Sequence, residues 1–139
     1  KLSEMINDSG QNLLRVIHYP PISNKDTMDG SIRAEAHTDI NLITILIAEP
    51  GLQVMSSSRE WVNVELSENS IVVNIGDMLQ KCSGGFYKST IHRVINPTSD
   101  NRSRYSMPLF IHPRDEVVLS DNFTAKQYLE QRLKEIGLK

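Results

Sequence analysis

The side chains with most chemistry in them are His37, Asp39 and His92. Two imidazoles and one carboxylate occupy one face of a metal ion and leave the opposite positions open. That is the ligand set of non-haem Fe(II) sites that activate O2. His37 and Asp39 stand two apart in Ala36-His37-Thr38-Asp39. Within a strand or at its end, residues two apart point to the same side, so both reach one ion. His92 comes much later, in the strand-like run Lys88-Ser89-Thr90-Ile91-His92-Arg93-Val94. Pairing of strands would deliver it to the third position. Three protein ligands leave room for exogenous ligands, which a closed four-ligand structural site does not. Alone, His-x-Asp is more often a hydrogen-bonded surface pair, and the surrounding residues decide between the readings.

A second pair, Arg104 and Ser106, is also two apart on a run that reads as strand, Tyr105 to Ile111 with its preceding residue. A guanidinium fork beside a hydroxyl suits a carboxylate. The competing reading is a solvated strand arginine in a surface ion pair.

The elements that must position these groups are mostly strands. Leu13 to Tyr19 reads as a strand closed by Pro20-Pro21, and residues 22–31 as a polar surface loop. Strand-like runs follow at Ile40 to Ala48, Leu52 to Met55, Trp61 to Val64, Ile71 to Ile75, Ser89 to Ile95, Tyr105 to Ile111 and Val117 to Leu119. Each is short, often β-branched, and bounded by Gly, Pro, Asn, Asp or Ser. Gly76-Asp77 and Ser83-Gly84-Gly85 read as turns. Many short strands with regular turns indicate a sandwich, barrel or jelly roll. Leu2, Met5 and Ile6 suggest a short helical segment ended by Gly10. Ala125, Leu129, Leu133 and Ile136 lie on one face of a C-terminal helix, with Thr124 and Gln127 as a capping box and Gly137 as its stop.

Composition narrows the classes. The 139 residues suffice for one domain, and 39% hydrophobic content supplies a core. A formal net charge of −2 gives no electrostatic reason to expect nucleic acid or an anionic membrane as partner. Cys82 is the single cysteine, so no internal disulfide framework exists; it reads as a packing residue, and a reducing, cytoplasmic setting fits. No apolar run is long enough to span a bilayer.

The blocks around the two pairs resemble the iron(II)- and 2-oxoglutarate-dependent oxygenases of the isopenicillin N synthase-like superfamily. They are Ala36-His37-Thr38-Asp39 with Leu42-Ile43-Thr44-Ile45-Leu46, Gly51-Leu52-Gln53-Val54, Trp61-Val62-Asn63-Val64, Val72 to Gln80, Tyr87 to Val94, and Arg104-Tyr105-Ser106-Met107-Pro108-Leu109-Phe110. They occur in the family's order from about Leu14 to about Pro113. The resemblance implies a mainly β fold, a double-stranded β-helix or jelly roll with the C-terminal α-helix and the short N-terminal helical segment, and one catalytic domain over residues 1–139. It implies His37, Asp39 and His92 as the Fe(II) ligands. It implies that Arg104 and Ser106 hold the distal carboxylate of 2-oxoglutarate, with Tyr19, in His18-Tyr19-Pro20, also contacting this cosubstrate. The spacing from His92 to Arg104 is slightly long for the family, and the turn over residues 97–101 absorbs the excess.

The activity implied is O2-dependent hydroxylation or desaturation of a small organic substrate with release of succinate and CO2, ascorbate serving as reductant. Relatives such as isopenicillin N synthase and the aminocyclopropane carboxylate oxidases carry the same Arg-x-Ser pair without using 2-oxoglutarate. An oxidase of that kind, or a non-catalytic jelly-roll binding domain, is therefore the alternative. Arg33 and Asn41 flank the metal motif within reach of substrate, Phe110 stands close to Ser106, and Trp61 reads as core. His18 and His112 read as non-ligands. Family members also have an N-terminal region of helices, strands and substrate contacts. The chain is accordingly expected to be a fragment, or a short form that completes its sheet by self-association.

Overall fold

Alternating strand patterns become two facing antiparallel sheets in the computed structural model, which describes residues 2–8, 11–22, 32–47, 50–65, 67, 70–96 and 102–138. In chain order the elements are α1 (Leu2–Ile6), β1 (Leu13–Leu14), β2 (Ile17–Tyr19), β3 (Ile32–His37), β4 (Ile43–Ile47), β5 (Leu52–Met55), β6 (Trp61–Asn63), β7 (Ile71–Ile75), α2 (Asp77–Cys82), β8 (His92–Ile95), β9 (Arg104–Ser106), β10 (Leu109–Ile111), β11 (Val118–Ser120), β12 (Phe123–Thr124) and α3 (Ala125–Glu135). One sheet runs β1-β10-β4-β7 and the other β3-β8-β5-β6; β2 pairs with β9, and β11 with β12. This is the expected jelly roll. The stop at Gly10, residues 23–31 of the loop expected over 22–31, the end of the expected strand at Ala48 and the turn over 97–101 lie outside the described residues.

Two expected strands are each broken in two. Leu13 to Tyr19 divides into β1 and β2, and Tyr105 to Ile111 into β9 and β10, with Arg104 added to β9. The breaks coincide because these segments pair along their length. Leu13 sits opposite Phe110, Leu14 opposite Leu109, Ile17 opposite Ser106 and Tyr19 opposite Arg104. Pro108 has no N–H to offer the ladder at the break, and its carbonyl instead accepts from Arg15 N at 3.0 Å.

Alternation on β4 separates two environments. Thr44 and Leu46 face the space between the sheets, while Ile43, Ile45 and Ile47 face outward beside Ile75, Val73 and Ile71. Ile47, Ile71 and Val73 are exposed on that outer face.

The buried core lies beside the sheets. Leu42, Met78, Leu79, Leu119, Ala125 and Tyr128 form it, drawing together the turn before β4, helix α2, β11 and α3. Gly76-Asp77 and Ser83-Gly84-Gly85, expected as turns, are the two ends of helix α2, which begins at Asp77 and which no sequence pattern announces. Six residues are too few for apolar periodicity to register. Helix α3 starts as read: Gln127 N donates to Thr124 Oγ1 at 3.3 Å and Thr124 N donates to Gln127 Oε1 at 2.9 Å. Trp61 is half-buried under the Arg93 guanidinium, whose Cζ is 4.1 Å from the ring centroid, so it belongs to a cation–π pair and not to the core. Cys82 is half-buried, and burial pushes its thiol pKa up, which suits a packing residue.

Leu42 is fully buried at the centre of the core. Leu42→Ala is expected to cost about 2–5 kcal/mol of stability in chemical denaturation, because the rigid surroundings cannot close the cavity.

Candidate metal centre

β3 and β8 lie side by side, and their register puts His37 directly opposite His92. The ring centroids are 4.4 Å apart at 53°. Register shifts between Ile32 and Ala34 and between Ala34 and His37 turn the end of β3 so that both rings face the same point.

Asp39 arrives differently from the sequence expectation. β3 stops at His37, so Asp39 is placed by a turn and not by strand alternation. The backbone of residues 76–78 clamps that turn. Gly76 N donates to Leu42 O at 2.8 Å, Asp77 N to Asp39 O at 2.8 Å, and Met78 N to Ile40 O at 3.2 Å. The Asp77 carboxylate adds a side-chain tie, its Oδ2 accepting from Thr38 Oγ1 at 3.1 Å and from Tyr128 OH at 3.3 Å. Burial and the Asp77 charge push the Tyr128 phenol pKa up to about 12, so it stays protonated as a donor.

One ligand atom from each of His37, Asp39 and His92 lies within 4.8 Å of the others. Asp39 Oδ1 is 3.9 Å from His37 Nε2 and 3.8 Å from His92 Nε2. Those separations are too long for hydrogen bonds, so three lone-pair atoms converge without satisfying one another. The far sides of the ligands are occupied. His37 Nδ1–H donates to Glu35 O at 2.6 Å and His92 Nδ1–H to Thr90 O at 3.1 Å, which leaves each Nε2 lone pair facing the common point. Asp39 Oδ2 accepts from Thr44 Oγ1 at 2.7 Å, and Thr44 in turn contacts the Asn41 amide. This donor set fits a divalent cation held on one face. The side chains of Asp39 and His92 are 6% and 9% exposed and that of His37 is 48% exposed, so His37 stands at the mouth.

Thr44 was not singled out by sequence, and no local signal marks it. Thr44→Val removes the donor that orients Asp39. It is expected to weaken Mn(II) affinity by about 10–100-fold in calorimetry, with Thr44→Ser restoring it.

Asn41 is buried and spent on structure. Its Nδ2 donates to Ile43 O at 2.6 Å, so its amide braces the turn before β4. His18 stacks outward on Tyr105, 4.7 Å between centroids, and shares a 2.8 Å hydrogen bond with Ser103. His112 is half-buried, and burial pushes its pKa down.

The three convergent residues line a cavity of about 330 Å³ between the sheets, walled also by Tyr19, Arg33, Leu46, Leu52, Ser106 and Phe110. Arg104 borders an adjoining pocket of about 30 Å³ that shares Tyr19 and Ser106 with it. Arg104 Cζ lies 5.1 Å from the Tyr19 ring centroid, and its Nη1 donates to Pro50 O at 2.9 Å. On the other side of His37 and Asp39 opens a groove of about 680 Å³, with Ile91, Phe110, Leu129 and Leu133 among its apolar walls and Arg15 and Arg132 at its edges.

A jelly roll carrying His-x-Asp and a cross-strand His at one end of its interior is the architecture of a non-haem Fe(II) oxygenase class. The family model of the 2OG-Fe(II) oxygenase superfamily matches residues 10–113, and the chain belongs to that superfamily. A solved Shewanella oneidensis protein assigned as an oxygenase is 51% identical with a TM-score of 0.88, over 99% of this chain and 52% of that one. A full-length Neurospora crassa protein solved with α-ketoglutarate is 31% identical with a TM-score of 0.85, over 95% of this chain and 47% of that one. A 2-oxoglutarate-dependent dioxygenase of Penicillium crustosum is 41% identical over 103 residues, which are 71% of this chain and 30% of the relative. The chain thus spans about half the length of these solved relatives and less of the curated one. Among the described residues, no helix is long and apolar enough to cross a membrane.

Proposed function

We propose that the protein is an Fe(II)- and 2-oxoglutarate-dependent dioxygenase that hydroxylates or desaturates a small organic substrate, with release of succinate and CO2. The observation that carries this reading is the convergence of His37 Nε2, Asp39 Oδ1 and His92 Nε2 beside a cavity walled by Tyr19 and Ser106. In it, residues 1–139 act as one catalytic domain. His37, Asp39 and His92 hold Fe(II), which when bound supplies the oxidising chemistry from O2 and the keto acid. Tyr19, Arg104 and Ser106 take the distal carboxylate of 2-oxoglutarate and so aim its keto acid end at the metal.

The residues' work is positional. The Glu35 and Thr90 carbonyls keep each imidazole in the tautomer that presents Nε2, and Thr44 keeps Asp39 turned inward. Leu46, Leu52 and Phe110 give the cavity apolar walls, which would keep water from a bound keto acid. The apolar groove beyond His37 and Asp39 supports a substrate with an apolar body. Among solved relatives, one structure contains 2-oxoglutarate, iron and JA, and another contains α-ketoglutarate and thymine. A cytoplasmic setting, no nucleic-acid or membrane partner, and ascorbate as reductant complete the proposal.

The test is succinate formation from 2-oxoglutarate with Fe(II), ascorbate and O2, screened across metabolite extracts. The reading expects at least one fraction to raise succinate release well above the uncoupled rate, with matching CO2. Failure to consume 2-oxoglutarate under any fraction, by protein shown to bind Fe(II), contradicts it and favours the oxidase alternative.

A further inference from the structure

We infer that Arg33 is a second guanidinium of the cosubstrate site, binding the distal carboxylate of 2-oxoglutarate alongside Arg104; the inference rests on the function proposed above. Arg33 lies on β3, four residues before His37, and borders the cavity that His37, Asp39 and His92 line. One corner of its guanidinium is fixed: Nη1 donates to Pro20 O at 2.8 Å, directly after Tyr19. Its Cζ lies 5.5 Å from the Tyr19 ring centroid, so Arg33 and Arg104 both contact this one ring.

The other edge is unspent. Arg33 Nε and Nη2 are buried and have no hydrogen-bond partner. These two nitrogens form the side-on fork of a guanidinium, whose parallel N–H groups match both oxygens of one carboxylate. Burying two charged donors without an acceptor is costly, and at the wall of this cavity a bound anion would supply the missing acceptors.

Charge and placement identify the ligand. A guanidinium fork selects a carboxylate, and 2-oxoglutarate brings one at each end. The keto acid end belongs at the metal. The distal end belongs near Tyr19 and Ser106, which border both Arg33's cavity and Arg104's pocket. Arg33 reaches that place from β3 while Arg104 reaches it from β9, opposite Tyr19. From sequence Arg33 is expected beside the metal motif and within reach of substrate; its unspent guanidinium edge, which turns it toward the cosubstrate, is visible only in three dimensions.

The test is calorimetric and needs no turnover. Mn(II)-loaded wild type, Arg33→Gln and Arg33→Lys are each titrated with 2-oxoglutarate and with 2-oxopentanoate, which has a methyl where 2-oxoglutarate has its distal carboxylate. Wild type is expected to prefer 2-oxoglutarate. Arg33→Gln is expected to reduce that preference by about 10–100-fold, through weaker 2-oxoglutarate binding with 2-oxopentanoate unchanged. Arg33→Lys should recover part of it, since an ammonium keeps the charge but not the fork. A wild-type preference in Arg33→Gln overturns the inference and leaves the proposed function standing. Equal loss of both ligands also overturns it, since Arg33 then serves the fold. Absence of any preference in wild type defeats the functional reading, and this inference with it.

Discussion

Asp39→Asn is expected to abolish productive metal binding while the apo fold survives. The carboxylate supplies the only negative charge among the three converging ligand atoms, and a neutral amide or water in its place leaves the dication's charge uncompensated. An amide of the same shape still accepts from Thr44 Oγ1, so the turn keeps its hydrogen bond. Loss of residues that merely orient metal ligands costs about 10–100-fold in affinity, and loss of a charged ligand should exceed about 100-fold. Calorimetry with Mn(II) measures the first effect, and apo Tm, expected within about 5 °C of wild type, measures the second. Undiminished Mn(II) affinity in Asp39→Asn contradicts the assignment of the ligand.

This separation of site from fold reflects how each was legible in the sequence. His37, Asp39 and His92 are the residue types of a metal-ligand set, but it is the blocks around them that lift the pair above an ordinary surface His-x-Asp. Their convergence did not follow from the pattern. His37 meets His92 because β3 and β8 pair with two register shifts, a tertiary fact. Strand alternation from His37 to Asp39 was the right outcome for the wrong reason, since Asp39 lies past the strand in a clamped turn. The strand expected over Ile40 to Ala48 loses its first residues to that same turn and begins at Ile43. Long β-branched runs such as Ile71 to Ile75 and the capped C-terminal helix were readable because local propensity and tertiary role agree there. Helix α2 was not, being shorter than two turns and flanked by glycines that look like loop residues.

Gly76→Ala should be the most damaging Gly-to-Ala change among the described glycines. A Cβ at Gly76 would stand 2.0 Å from Asn41 O, 2.7 Å from Asn41 C and 3.2 Å from Asp39 O. All three are backbone atoms of the metal turn, and none can swing aside as a side-chain tip would. Relief requires the strand end at Gly76 and the turn at 39–42 to part, breaking the hydrogen bonds from Gly76, Asp77 and Met78 and exposing Leu42 and Met78. A loss above about 4 kcal/mol is expected, in the rare class of severe substitutions. Metal affinity should fall with it, because Asp39 moves with the turn. Gly84→Ala is the control. Gly84 has φ +60 but nothing within 4 Å of an added Cβ, so only backbone strain of about 1 kcal/mol applies. Chemical denaturation of both variants checks the contrast, and similar losses at the two positions would refute the clamp.

The metal turn thus joins fold and chemistry. Core residues Leu42 and Met78 sit on the two backbone segments whose hydrogen bonds place Asp39. Asp77 extends the same tie to α3 through Tyr128, and α3 contributes Leu129 and Leu133 to the apolar groove. Packing that holds the helix therefore also holds the ligand.

Anomalous diffraction at the iron edge, from crystals grown anaerobically with Fe(II), tests the central claim most directly. One strong peak is expected at about 2.0–2.2 Å from His37 Nε2, His92 Nε2 and Asp39 Oδ1, the bonding range of such ligands. Iron located elsewhere, or bound by fewer than these three side chains, contradicts the account.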